Sequence, residues 1–485
     1  MAVNRSPRPI DAIIRLPRRR EVSQTIRRDE SPRRPRRILG VSNILVIGFS
    51  LLITLGAILL ILPFASNSGE FTPVQTAFFT SVSAVTVTGH TVVATPDYWA
   101  PFGQAVIFAL MTLGGLGFMV ISTFLLLALG NRTTIQQRAI TRGMMSDTAG
   151  MNQVRAIRSF GRNITIIVLL IYLGGSLIFF TQINGLDGIG QGQSYWYSLF
   201  LSVSSFNNAG FNIIPELASG NAARFASNPV VILTMTAMIA LGGLGWVMMV
   251  DVWRGRRFAR FSLDTKLLIV TSLALWLLGG AILSLTEFNN PETMGAMGWM
   301  DRIVNAVFLT VSGRTAGFST IDFGQVADAT EMTFTALMYI GGAPGSVAGG
   351  IKVVTFAVLI AAVTSSLRSR PHAEAFGREI PQPQVHRALS VAALGVALVF
   401  VGAMTLISLE PEARFLALLF DFVSALGTVG ATTGIVPSLS LPSQAIFMAA
   451  MFIGRVGPLI LALALTPKED EIVLYRFAQE RVRIG

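Results

Sequence analysis

Gly427-Thr428-Val429-Gly430 closes a short apolar run, residues 415–426, and leads into Ala431-Thr432-Thr433-Gly434. A Thr-Val-Gly stretch at the end of a short helix suits one chemistry. Glycine permits backbone dihedrals that turn carbonyls toward a common axis, and a ring of such carbonyls replaces the water shell of a cation. One stretch supplies only part of a ring, so that chemistry requires the chain to repeat it.

Three further short runs, residues 74–85, 195–206 and 301–311, end in Thr86-Val87-Thr88-Gly89, Asn207-Asn208-Ala209-Gly210 and Arg314-Thr315-Ala316-Gly317. A run of about a dozen residues is too short to cross a bilayer and reads as re-entrant. The glycines at 89, 210, 317 and 430 lie 121, 107 and 113 residues apart. A G-x-x-G pair follows each of them after 25, 32, 25 and 24 residues, beginning at Gly114, Gly242, Gly342 and Gly454. Helix-packing glycines scatter through any membrane protein, but scatter does not explain two landmarks recurring together four times.

The elements that must hold these stretches are long apolar segments on either side: 40–63 and 101–129, 164–183 and 229–253, 267–285 and 333–367, 385–409 and 442–465. The expected fold is an all-α polytopic membrane protein, with four helix–pore-loop–helix repeats around one pseudo-fourfold central pore. The repeats occupy 40–130, 164–253, 267–367 and 385–466. Cytoplasmic linkers are expected at 131–163, 254–266 and 368–384, a basic tail at 1–39 and a C-terminal tail at 467–485.

Composition agrees. Of 485 residues, 52% are hydrophobic and 13% charged, and the mean hydropathy is +0.62. A soluble chain of this size needs more surface charge. The absence of cysteine excludes disulfides and thiol chemistry. The net charge of +11 could suggest nucleic acid, but its distribution argues otherwise. With both ends of every repeat cytoplasmic, only Arg224, Arg302, Arg314, Arg414 and Arg455 of the 37 Lys and Arg fall on or nearest the outer half. That is the positive-inside pattern, and the acidic outer face it leaves would concentrate cations. Residues 1–40 hold twelve arginines and no signal-peptide core. They read as a solvated tail that anionic membrane lipids also attract, by roughly 1 kcal/mol per basic residue near the surface. No GxxxxGK[ST] loop and no cluster of acids or histidines points to ATP-driven pumping or an enzyme.

At these residues the chain resembles the Trk/Ktr/HKT superfamily of potassium transporters, specifically the translocating membrane subunit. The likeness rests on Asn207-Asn208-Ala209-Gly210-Phe211, Arg314-Thr315-Ala316-Gly317-Phe318, Gly427–Gly430, Gly454-Arg455-Val456-Gly457-Pro458-Leu459, Gly349-Gly350-Ile351-Lys352 and the two GGLG stretches. It covers roughly residues 40–485 and looks closer to the Ktr branch, because no extra helices precede the first repeat. His90 departs from the family's usual apolar residue. It reads most simply as an exposed vestibule histidine, and otherwise as a pH-sensitive filter group.

The resemblance implies K+ as the transported ion, held only at the filter, with no other cofactor in this chain. Backbone carbonyls of Val87, Thr88, Gly89, Asn208, Ala209, Gly210, Thr315, Ala316, Gly317, Thr428, Val429 and Gly430 would hold it. Each pore helix points its C-terminal end inward, placing about half a negative charge at the cavity. Residues 342–355 interrupt a long segment with small residues around Pro344, which make a poor helix interior. The family has a gating loop there, so Gly345, Ser346, Gly349, Gly350 and Lys352 are expected gating residues, although a kink is the simpler account of the stretch. Arg455 is expected as an electrostatic barrier or gating contact, while Lys352 also reads as snorkelling toward the cytoplasm.

Further implications are a homodimer, a separate cytosolic nucleotide-binding (RCK/KTN-type) regulatory subunit docked on 131–163 and 254–266, no nucleic-acid partner, and an inner (plasma) membrane location with both termini cytoplasmic. Uptake coupled to Na+ or H+ stays open, as does passive flux. The alternatives are a sodium-permeable or poorly selective protein of the same fold, or a secondary transporter for another solute. Two inverted repeats, not four alike, are usual for the latter.

Overall fold

The computed structural model describes residues 38–129, 151–186, 188–215 and 222–464. The basic tail up to residue 37, most of the first linker and the C-terminal tail lie outside the described residues. Residues Ser42–Gly485 form one compact unit, distinct from Met1–Val41.

Each repeat is built as long helix, short helix, long helix. The first comprises α1 (Ile38–Ile61), α2 (Val74–Thr86) and α3 (Pro101–Leu129). The second has α4 (Met151–Ile183), α5 (Gln191–Asn207), α6 (Pro229–Leu244) and α7 (Trp246–Gly255). The third has α8 (Leu263–Thr286), α9 (Trp299–Thr315), α10 (Asp328–Met338) and α11 (Val353–Leu367). The fourth has α12 (Gln382–Leu409), α13 (Phe415–Gly427) and α14 (Leu441–Ala464).

Local chemistry fixes several starts. Pro229 opens α6 where its missing N–H costs nothing, and the Asn228 side chain accepts from Val231 N at 3.2 Å. Ser262 caps α8 by accepting from Thr265 N at 3.3 Å.

By length and apolarity, Pro101–Thr123, Gly161–Ile183, Leu263–Thr286 and Gln382–Leu409 can each cross a bilayer. The exposed side chains of α12 include Leu389, Leu394, Val396, Phe400 and Val401. Such a surface is costly in water and suited to lipid.

Two long segments are broken. Residues 229–253 read as one span, yet α6 and α7 meet at 100°. The hinge is Gly245 at φ 72°, and an added Cβ there would lie 3.0 Å from Ser346 N. The loop of the third repeat occupies the notch, so the break depends on a partner a hundred residues away. In the third repeat α10 ends at Met338 and α11 begins at Val353, with the expected irregular stretch between them.

After α11 a small antiparallel hairpin, β1 (Glu374–Ala375) with β2 (Arg378–Glu379), pairs Glu374 with Glu379. Flanking Ala373 and Ile380 pack with Leu267, Ala357 and Ala388.

Candidate ion-conduction site

The centre of the fold is polar where a soluble core would be apolar. Ser81, Ser83, Thr86, Ser204, Ser205, Ser312 and Ser424 on the four short helices are all fully buried. The helices end alike in three repeats. Val87, Asn208 and Thr428 adopt the left-handed conformation at φ 58°, 57° and 50°. For β-branched Val87 and Thr428 this is unusual and costs strain that the surroundings must hold, whereas asparagine adopts it more readily.

The four glycines follow at φ 93° (Gly89), 71° (Gly210), 69° (Gly317) and 88° (Gly430). Their neighbours define a ring. A methyl group at Gly89 would collide with the Ala209 carbonyl. At Gly210 it would lie 2.7 Å from the Ala316 carbonyl, at Gly317 it would meet Val429, and at Gly430 it would meet Thr88. Repeat one therefore touches two, two touches three, three touches four, and four returns to one. Each contact is made to the carbonyl of the residue just before the next glycine. Both the dihedral and the crowding demand glycine, which explains why it stands at all four positions.

A set of side chains behind the ring was missed in reading the sequence. Ser83 Oγ accepts from Gly89 N, and Ser424 Oγ accepts from Gly430 N, both at 3.0 Å. Ser204 and Ser312 instead donate to the carbonyls of Phe211 and Phe318, both at 2.7 Å. These serines precede their glycines by six, six, five and six residues in chain order. The spacing was a legible signal, hidden among the many small residues of the short runs.

The five-residue spacing has a structural result. Repeat three has lost the left-handed residue: Thr315 stays in α9, Ala316 sits at φ −128°, and Gly317 N donates to Ser312 O at 3.0 Å. The ring is thus asymmetric. With its amide oriented to satisfy both ends, Asn208 donates to the carbonyls of Ile239 and Ser205 and accepts from the Thr315 hydroxyl at 3.0 Å.

The G-x-x-G pairs buttress the ring. A methyl at Gly114, Gly242 or Gly454 would collide with the carbonyl of Val85, Phe206 or Leu426. Each of those carbonyls lies two residues before the left-handed residue of its repeat. The inner helix can therefore lean directly on the end of the short helix. Gly342 differs, because it lies within the irregular stretch of repeat three.

That stretch reaches the other repeats. Ala343 N donates to Gly243 O at 2.9 Å, Thr123 Oγ1 to Gly345 O at 3.4 Å, and Gly350 N to Gly454 O at 3.4 Å. Gly345 and Gly350 have φ of 76° and 66°. A methyl at Gly349 would run into the side chain of Thr428. Ala343, Ser346, Val347 and Ala348 are buried. Lys352 Nζ donates to Ala348 O at 2.6 Å, pinning the loop upon itself. Arg455 donates to the carbonyls of Val347 and Gly114 and lies 4.3 Å from the Phe118 ring.

One expectation needs correction. His90 is fully buried, edge-on to Phe447 at 6.0 Å, and is not exposed in a vestibule. Phe447 comes from the inner helix of repeat four. Arg314 and Arg455 are both buried, at 4% and 1% exposure. Arg314 stacks over Trp276 at 5.5 Å.

At the end of α8 Glu287 receives Thr330 Oγ1 (2.6 Å), Asn290 Nδ2 (2.7 Å), Thr293 Oγ1 (2.8 Å) and Ala327 N (2.9 Å). Burial pushes its carboxyl up, but these four hydrogen bonds outweigh it and hold the group below the usual range. Among the described residues no group of three or more His, Cys, Asp or Glu could hold a metal. What the ring offers a cation is main-chain carbonyl oxygen.

A profile for TrkH, a cation transport protein family, matches residues 28–473. The Ktr system potassium uptake protein B of Bacillus subtilis is 35% identical, over 89% of this chain and 94% of the relative. The potassium/sodium uptake protein NtpJ of Enterococcus hirae is 32% identical, over 93% and 99%. The crystal structure of the potassium transporter TrkH from Vibrio parahaemolyticus superposes with a TM-score of 0.68 at 18% identity, over 91% of this chain and 87% of that one.

Proposed function

This chain belongs to the TrkH family of cation transport proteins, and from that premise we propose that it carries potassium across the cell membrane through the glycine ring. The observation that carries the reading is the cyclic contact Gly89–Gly210–Gly317–Gly430, in which each repeat abuts the next one's carbonyl. A ring of carbonyls is the chemistry that replaces a hydration shell. The selectivity filter on this reading is Val87–Gly89, Asn208–Gly210, Thr315–Gly317 and Thr428–Gly430. The ends of α2, α5, α9 and α13 add their negative dipole ends below it.

Residues 342–355 act as the gate. Their bonds to Gly243, Thr123 and Gly454 come from three different repeats, and Gly349 abuts Thr428. Irregular backbone at this depth is tolerated where protein or water covers it. Ser346, Lys352 and Arg455 set its closed position. The chain works in the plasma membrane with cytoplasmic termini, as a homodimer under a cytosolic nucleotide-binding subunit. A relative named as protein B of a Ktr system supports a chain that works with other components.

A second reading is favoured by one finding: NtpJ is named for potassium and sodium together. On that reading the shortened repeat three loosens discrimination. Rubidium or potassium flux into liposomes, with and without a sodium gradient, separates the two. Potassium flux with sodium excluded supports the first. Equal fluxes of both ions support the second. No flux of either ion in folded protein removes both.

A further inference from the structure

Repeat four closes on repeat one, the two ends of the chain's repeat series, with no linker between them. At this seam Gly430 abuts the Thr88 carbonyl, and a methyl there would also lie 3.1 Å from Gly89 Cα. Asp421, on α13 and fully buried, stands directly behind it. One carboxylate oxygen accepts from Thr433 N at 2.8 Å and the other from the Thr432 hydroxyl at 2.9 Å. Thr432 Oγ1 in turn accepts from Gly434 N at 2.9 Å. The acid therefore ties the short helix of repeat four to the strand that leaves its filter glycine.

Repeat one reaches the seam through His90, next after Gly89, whose buried ring lies edge-on to Phe447 at 6.0 Å. Phe447 itself packs edge-on against Phe422, the residue after Asp421, at 6.1 Å. No other repeat has an acid at this position. Nine residues before the other three glycines stand Thr80, Leu201 and Phe308. The seam between repeats two and three uses the Asn208–Thr315 bond instead.

We propose that Asp421 is the positioning residue of the closing seam, and that its hold on Thr432 and Thr433 sets how well the ring discriminates potassium from sodium. The proposal rests on the reading of the ring as the filter. A strand held at two points on one carboxylate cannot slide along the axis. If one point is released, the Gly430 carbonyl is free to shift. Because Gly430 abuts Thr88, the shift passes to a second set of coordinating oxygens. A wider or softer ring loses its preference for the larger, more weakly hydrated ion before it loses conduction.

The test compares wild type, Asp421→Ala, Asp421→Asn and Thr432→Val in proteoliposomes, measuring the K+/Na+ flux ratio and not total flux. Gly317→Ser serves as the control for the filter itself. Thr432→Val keeps the shape and removes the hydrogen bond to the carboxylate, together with the one that the hydroxyl accepts from Gly434 N. It should lower the ratio about tenfold, the equivalent of one lost hydrogen bond to a charged group. Asp421→Ala should lower it further, and Asp421→Asn should retain part of it, since its carbonyl still accepts from Thr433 N. A wild-type ratio in folded Thr432→Val, with the ratio altered in Gly317→Ser, overturns the role of Asp421 and leaves the filter standing. A wild-type ratio in both overturns the filter reading as well. If Asp421→Ala does not fold, Thr432→Val carries the test alone.

Discussion

Arg455 donates to the main-chain carbonyls of Val347 and Gly114, the latter at 3.1 Å. One buried guanidinium on repeat four thus holds the irregular loop of repeat three to the inner helix of repeat one. Among the described residues no carboxylate pairs with it. Its charge is spread over carbonyl dipoles and the Phe118 face. Arg455→Gln keeps one donor and loses the fork. Flux should rise several-fold with the K+/Na+ ratio unchanged, read as rubidium uptake. A lower flux would show that the arginine supports the pathway and does not obstruct it.

Deleting residues 343–350 removes the segment's contacts to Gly243, Gly454 and Arg455 together. Uptake in a transport-deficient cell should rise above wild type. Unchanged uptake would reduce the stretch to a kink in an inner helix.

Gly430 and Gly434 make a matched pair. Both have left-handed backbones, at φ 88° and 87°, but only Gly430 is crowded; a methyl at Gly434 meets nothing within 4 Å. Gly434→Ala should cost about 1 kcal/mol of backbone strain and leave flux near wild type. Gly430→Ala must displace the Thr88 carbonyl and should cut flux by about a hundredfold or more, since misplaced carbonyls no longer substitute for water. Equal losses would show that strain, and not ring contact, dominates.

Glu287 gives a pH signature at the end of α8. Its folded pKa lies below the unfolded value, so its contribution is present above the unfolded pKa and is lost as pH falls through the folded one. Melting temperature should drop as the medium is acidified below about pH 4, the carboxylate range. Glu287→Gln should begin lower and lose less over the same interval. Parallel curves would assign the acid sensitivity to another group.

The glycines could be read directly from the chain because backbone geometry forces their identity. Positive φ and contact with a neighbouring carbonyl leave no substitute, so the residue type itself records the constraint. The short helices were legible for the same reason, being too short to cross a membrane. What escaped was set by distant partners. The break at Gly245 needs Gly345 and Ser346 in its notch, and the burial of His90 needs Phe447. Asp421 belongs to no motif in the sequence, because its ties to Thr432 and Thr433 depend on how the strand turns after Gly430. The serine behind each glycine was legible by spacing, but its role was not. Two of the four accept from the glycine N–H and two donate to a carbonyl, and only the backbone trace decides which.

The return contact from Gly430 to Thr88 bridges more than two thirds of the sequence, and this bears on how the protein is made. A ribosome that has released three repeats has produced three arcs, of which the first and third still face a gap. The carbonyls of Thr88 and Val429 find their counterparts only when the last arc has been made. The contact that becomes possible last is therefore also the one that completes the ring.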